Sequence, residues 1–228
     1  MSETAKESLH KEFELERMIL FSDAVFAIAI TLLILEIKFP ELPANYSSIN
    51  LYIFLKPVLI HFFAFVVSFF FIGMSWSRHL TLCKFLKQYN NTVIFFNLLL
   101  LFFIVTFPFS ISAFIENVNK AIVVAILVYI SNIFLVMFAQ FLFVHYILNI
   151  NTSLSVAGYK EEKEYFYLKA KYSFVMMVAT MGVMIAAVII SKNNTLAVAF
   201  SLYALPLFAI IMKRKLRKHK PKTQLITA

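Results

Sequence analysis

The sequence predicts an all-α membrane protein with six transmembrane helices per subunit. Three observations lead there. Hydrophobic residues make up 61% of the chain, charged residues only 14%, and the mean hydropathy is +0.83, against roughly 45–50% apolar and ~25% charged in soluble domains. The charges are confined to short runs between long apolar segments, as needed when a helix satisfies its own backbone in hydrocarbon. Glycine is scarce, at 3 residues, and no segment alternates polar and apolar as a barrel strand would.

About twenty apolar residues cross a bilayer core, and that length marks six spans. The first, 18–37, follows a Lys/Glu-rich lead without the short apolar core and small-residue cleavage site of a secretory signal, so it is expected to stay as an anchor. The second, 53–76, begins at Lys56-Pro57, where the lysine is expected to snorkel to the outer interface. The third, 93–115, contains Pro108, read as a kink or an end. Asn132 and Gln140 on the fourth, 121–148, are expected to bond between helices. Before the fifth, 166–190, "KEEKEYFYLKAK" reads as an amphipathic, partly helical cytoplasmic connector. The sixth, 195–212, is separated from the fifth by "SKNNT", room only for a tight turn. Tyrosines and Trp76 near span ends suit the interfacial aromatic belt.

The charge distribution orients the spans. With both termini cytoplasmic, seventeen of the 21 Lys and Arg fall inside, and Lys38, Lys56, Lys120 and Lys192 fall outside. That excess is the expected sign for cytoplasmic loops. It predicts a multi-pass protein of the plasma or inner membrane, with a cytoplasmic segment at 1–16, a membrane domain at 17–212 and a basic tail at 213–228. The tail and the net charge of +9 read as a topogenic patch near anionic lipid rather than a nucleic-acid site.

The first span carries Ser22-Asp23 within otherwise apolar sequence. On a wheel of 100° per residue, Ala24, Ile28, Thr31 and Leu35 fall within about 40° of Arg17. Ser22 lies about 140° from that stripe and Asp23 about 120° away on the other flank. A carboxyl group at this depth costs several kcal/mol unless partnered. Its candidate donors are Ser22, Arg17, Trp76, His79 and Asn97, which together would tie the first three helices. The stripe itself is either ordinary packing or, repeated around a symmetry axis, the wall of a narrow tube.

The run Arg17-x-x-x-Phe21-Ser22-Asp23-Ala24 with Ile28, Thr31 and Leu35 resembles the first helix of the transmembrane protein 175 family, potassium channels of endosomes, lysosomes and prokaryotic membranes. Trp76-x-x-His79, Asn97-Leu98-Leu99-Leu100 and Pro108-Phe109 resemble the rest of that family's signature, over about residues 17–115. The resemblance implies a single-repeat, prokaryotic-type subunit of a homotetramer whose first helices line the ion path. It implies that Ile28 forms the constriction, with Thr31 and Leu35 as layers outward and Ala24 below, and that permeant potassium passes at Ile28 and Thr31. It also implies a buried network of Arg17, Ser22, Asp23, Trp76 and His79, to which Asn97 is added as an extension. The expected function is a potassium-selective leak channel, with no cofactor besides the permeant ion. Its expected partners are other copies of the chain, membrane lipids and potassium ions.

Absences narrow the alternatives. No Thr-Val-Gly-Tyr-Gly loop occurs, which excludes a backbone-carbonyl filter of the usual kind. Arginines at every third position, phosphate loops, zinc motifs and nucleophile elbows are also missing, which argues against voltage sensing, pumping and enzymatic activity. His61 and His145 lack companion ligands and read as packing residues, and the single Cys83 excludes an intrachain disulfide. Two other readings remain: a proton or monovalent-cation transporter using Asp23, and a non-conducting membrane scaffold or enzyme in which the stripe only packs.

Overall fold

The computed structural model describes residues 3–37, 51–117, 121–190, 204–217 and 219, all in helices and short connections. We number the helices α1 (Glu3–Leu32), α2 (Leu51–Lys84), α3 (Asn91–Val105), α4 (Phe107–Asn117), α5 (Ile122–His145), α6 (Lys160–Ile190) and α7 (Ala204–Arg217). Among the described residues, five stretches are long and apolar enough to cross a membrane: Glu12–Glu36, Val58–Lys84, Asn91–Asn117, Ile122–Ile150 and Lys160–Ile190. The first half of the sixth expected span, 195–212, lies outside the described residues, as do Lys38, Lys120, Lys192, the side chain of Lys56 and most of the basic tail. From Ala204 the chain is helical, and α7 packs against α6.

Two boundaries differ from the sequence reading, and the interruption expected at Pro108 is present. α1 starts at Glu3 rather than near the membrane, giving 30 residues, or about 45 Å of rod. The charged connector before the fifth span is not a separate element but the first turns of the 31-residue α6. The third span is broken: α3 ends at Val105 and α4 begins at Phe107. Pro108 explains the break, since its ring displaces the carbonyl four residues back and it has no N–H to give. Hydroxyls occupy carbonyls around the interruption, Thr106 Oγ1 donating to Phe103 O at 2.8 Å and Ser110 Oγ to Thr106 O at 3.1 Å. Inside a membrane, such local repair is what makes an interrupted helix tolerable.

α5 is the hub, packed against α3, α4 and α6, while α1 packs on α2 and α3. The core contains Phe26, Ile72, Leu100, Ile104, Phe107 and Phe143, all essentially enclosed. Polar pairs fix helix registers within it. Asn132 Nδ2 donates to Ser110 Oγ, and its Oδ1 lies 3.3 Å from Thr106 Oγ1, joining α5 to the α3–α4 break. Gln140 Nε2 donates to the Ser75 carbonyl at 3.0 Å, and Ser68 and Tyr129 share a 2.7 Å hydrogen bond, both joining α5 to α2. By contrast Phe63, Phe70 and Phe109 are 69%, 62% and 71% exposed, a surface that only lipid or another apolar chain can solvate.

The loops between α2 and α3 and between α5 and α6 meet at one end of the bundle. Lys87 N donates to Leu154 O at 2.8 Å and Val156 N to Phe85 O at 2.9 Å, a two-bond antiparallel bridge. Phe85, Leu86 and Leu154 are buried beneath it. Lys163 Nζ donates to Ser155 Oγ and to the Val156 carbonyl. Gly158, at φ +90°, supplies the left-handed turn that sends the chain into α6. Asn90 caps α3 by accepting from Val93 N at 2.9 Å and donates to Tyr146 OH at the end of α5.

Burial distinguishes two neighbouring positions on α2. Ile72→Ala should lower the unfolding free energy by about 2–4 kcal/mol, because that side chain is fully enclosed. Phe70→Ala should leave it nearly unchanged. Denaturant-induced unfolding in detergent micelles reads the difference.

Candidate functional site

α1 has two faces. Ser22, Phe26, Ala29 and Leu33 recur every three to four residues and are 0–1% exposed, so they form the edge that packs into the subunit. Ala24, Ile28, Thr31 and Leu35 occupy the opposite edge and are all exposed, Ile28 at 57% and Leu35 at 68%. Positions two residues apart differ by about 200° on an α-helix, so burying the first set turns the second outward.

The helix tightens at its end. Leu33–Glu36 winds as a 3₁₀ turn, with Ile37 N donating to Ile34 O at 3.2 Å. Three residues per turn in place of 3.6 swings Leu35 roughly 60° from the straight stripe. Thr31 Oγ1 donates to the Ile28 carbonyl at 2.9 Å, which commits the hydroxyl proton to the backbone. The lone pairs of Oγ1 then remain as the acceptor at the exposed edge.

Behind this edge lies a chain of hydrogen bonds through three helices. Asn97 Nδ2 donates to Ser22 Oγ at 2.9 Å, and Asn97 Oδ1 lies 2.8 Å from His79 Nε2. Since Oδ1 can only accept, Nε2 carries the histidine proton and Nδ1 is bare. Cys83 Sγ, one turn along α2, lies 3.7 Å from Nδ1 and donates its weak S–H there. At the other end Ser22 Oγ donates to Met18 O at 2.9 Å. Every member therefore has its donor and acceptor matched in one direction, from Cys83 to α1. Ser22, His79 and Asn97 are 0–1% exposed. The imidazole also sits between Phe26 of α1 and Phe143 of α5, with ring centroids 5.7 and 6.1 Å away.

Asp23 points elsewhere. Its Oδ1 accepts from Trp76 Nε1 at 2.8 Å, in a half-open corner between α1 and α2 where Trp76 is 39% exposed. Arg17 also stands apart from the buried chain: it is exposed, near Glu14 and the phenol of Tyr89. Tyr89 OH donates to Glu14 Oε2 at 2.8 Å. That hydrogen bond, together with desolvation and Glu14's negative charge, raises the phenol above its usual value, and Arg17's positive charge pulls it partly back.

Among the described residues the structure thus joins Ser22, His79 and Asn97, pairs Asp23 with Trp76, and leaves Arg17 hydrogen-bonded to neither group. Sequence reasoning missed Cys83 and the flanking Phe26 and Phe143. Cys83 was findable, four residues from His79 on the same helix, whereas Phe143 comes from a distant segment that no periodicity links to His79. His145 is a packing residue, stacked on Phe141 and 3.1 Å from Tyr167 OH. His61 Nδ1 is buried without a hydrogen-bond partner among the described residues.

The family model described as "Endosomal/lysosomal potassium channel TMEM175" matches residues 17–108. A potassium channel of Chryseobacterium sp. (strain P1-3) is 36% identical over 94 residues, 41% of this chain and 45% of the relative. One from Streptomyces collinus is 36% identical over 100 residues, 44% and 47% of the two chains. A third, from Chamaesiphon minutus, is 33% identical over 106 residues, 46% and 52%. The chain thus spans about half the length of the curated relatives it matches. The crystal structure of a lysosomal potassium-selective channel TMEM175 homologue from Chamaesiphon minutus matches with a TM-score of 0.65 at 22% identity, covering 89% of this chain and 98% of that one. A variant of the potassium channel MtTMEM175 matches at 0.61 and 18% identity, over 89% and 92%. At these identities the two structures share the fold.

The buried chain is testable by removing its middle. Asn97→Ala strands His79 Nε2–H and leaves Ser22 without its donor, so thermal unfolding in detergent should occur well below wild type, by about 2–4 kcal/mol. Trp76→Phe, which removes only the donor to Asp23 in the half-open corner, should cost less than half of that.

Proposed function

We propose that this chain is a member of the TMEM175 family, whose model matches residues 17–108, and that it forms a homotetrameric potassium channel, with four copies of α1 surrounding the ion path. The observation that carries this reading is the division of α1 into a sealed edge and an open one. Ser22, Phe26, Ala29 and Leu33 commit one side to the subunit interior, and Ala24, Ile28, Thr31 and Leu35 remain uncovered on the other. One helix edge cannot enclose a conduit, so rotational assembly is what makes a passage of it.

In that assembly the Ile28 side chains form an apolar ring that strips part of a cation's hydration. An apolar constriction opposes water and ions together, and passage becomes possible where it is short. Thr31, one turn along, offers oxygen lone pairs whose proton is already committed to the Ile28 carbonyl. Hydroxyl oxygens replacing some lost water favour the ion that is cheaper to dehydrate, potassium over sodium. Such a ring lacks the multiple fixed carbonyls of a cage, so selectivity is modest. In this reading conduction is a passive leak in the plasma or inner membrane. In this scheme Ser22, His79 and Asn97 hold α1's rotation and Asp23 with Trp76 fastens its flank, which favours a channel over a transporter that titrates Asp23.

Purified protein in liposomes should pass potassium faster than sodium. Ile28→Asn should raise potassium flux several-fold, and Thr31→Ala should bring the potassium and sodium rates closer together. Unchanged flux in Ile28→Asn would exclude α1 as the lining. Steep pH dependence of flux that disappears in Asp23→Asn would instead favour proton-coupled transport.

A further inference from the structure

Between α2, α5 and α6, close to the end of the bundle where the two loops pair, lies a cavity of about 20 Å³ lined by Arg78, Lys169, Gln140 and Ser173 together with apolar side chains. Two cationic side chains thus share one small space, and the charge of Arg78 reaches Lys169. No carboxylate lines the cavity, and among the described residues neither cation has a hydrogen-bond or ion-pair partner. The other polar groups do not neutralise them. Gln140 has its amide on the Ser75 carbonyl, and the buried Ser173 hydroxyl donates to the Met212 sulfur, 3.8 Å away.

Arg78 is half-buried while Lys169 remains exposed, and an anion held between the two would offset their mutual repulsion. Arg78 lies six residues before the end of α2, about 9 Å along the axis, which is the depth of a headgroup rather than of the bilayer centre. We propose that Arg78 and Lys169 form a binding site for a phosphate group, supplied by an anionic phospholipid or by free phosphate. The guanidinium takes two phosphate oxygens in its planar fork, and the ammonium supplies the second charge. The cavity has room for one oxygen-sized group, so the rest of the phosphate lies at the mouth. That geometry suits a phosphodiester continuing outward into a lipid better than an ion enclosed on all sides. Basic pockets between helices are a recurrent form of lipid headgroup recognition.

The test uses delipidated full-length protein, with thermal unfolding and native mass spectrometry as readouts, and is independent of whether the protein conducts. Phosphatidylglycerol should stabilise and remain bound to wild type, and phosphatidylcholine should do neither. Lys169→Gln should weaken phosphatidylglycerol binding about fivefold, and Arg78→Lys should weaken it through loss of the fork. Lys171→Gln, which removes a second exposed charge on the same helix that does not line the cavity, should leave it unchanged. Equal stabilisation of wild type by inorganic phosphate, lost in Lys169→Gln, would identify free phosphate as the source; a response to the lipid alone would identify the lipid. Indistinguishable binding by wild type, Lys169→Gln and Lys171→Gln overturns the proposal, and is also the result expected if a carboxylate of a neighbouring subunit fills the cavity.

Discussion

The carboxamide of Asn97 is the constraint around which the first three helices are arranged. It lies in the middle of "FFNLLLLFF" on α3, where every neighbour in sequence is hydrocarbon, and it is 1% exposed. An amide in such surroundings must be hydrogen-bonded or cost several kcal/mol. Lipid offers no partner, so α1 and α2 must bring one each. Ser22 meets its N–H and His79 its carbonyl. Hydrophobic contacts between membrane helices are nearly indifferent to rotation, because lipid tails compete equally well for an apolar face. A buried amide is not indifferent, since turning α1 by one residue would remove Ser22 and leave the amide unpaired.

The rotation of α1 then determines everything its other side presents. With Ser22 inward, Phe26, Ala29 and Leu33 follow into the core, and Ile28 and Thr31 are left uncovered. Asp23, next to Ser22 and 100° around the helix, falls between these faces and meets Trp76 at the edge of α2. One serine and one aspartate therefore attach α1 to two different places on its neighbours. The second attachment is half-open and the first is sealed, so they differ in energetic weight although they are adjacent in sequence.

The same economy recurs throughout the bundle. Few polar residues occur within the spans, and most of those described join elements: Ser68 to Tyr129, Gln140 to the Ser75 carbonyl, Asn132 to the hydroxyls at the α3–α4 break. Arg78 and Lys169 do not follow this pattern. They are charged, adjacent and, among the described residues, without a carboxylate partner, which is why the cavity between them reads as a place for something other than the chain.

The spans were legible because a bilayer demands about twenty apolar residues in a row, a property of sequence alone. The faces of α1 were legible as well, because a regular helix converts residue spacing directly into angle. Less could be seen wherever the backbone departs from that regularity. The 3₁₀ turn at Leu33–Glu36 shifts Leu35, and a charged stretch with no apolar signal proved to be the start of α6. Proline 108 announced an interruption, but its repair by Thr106 and Ser110 depended on local geometry.

By itself, the sequence determined that this chain crosses a membrane as helices, which residues share an edge of the first one, and that its aspartate needs a donor. Only the tertiary structure decided that Asp23 takes Trp76 while Asn97 takes Ser22 and His79, that Cys83 completes the chain, and that Arg78 meets Lys169. The reason is physical. Helical periodicity orders residues within an element, whereas the partner of a buried polar group depends on how separate helices are rotated and shifted against one another, and in an apolar solvent that is settled by satisfying all such groups together.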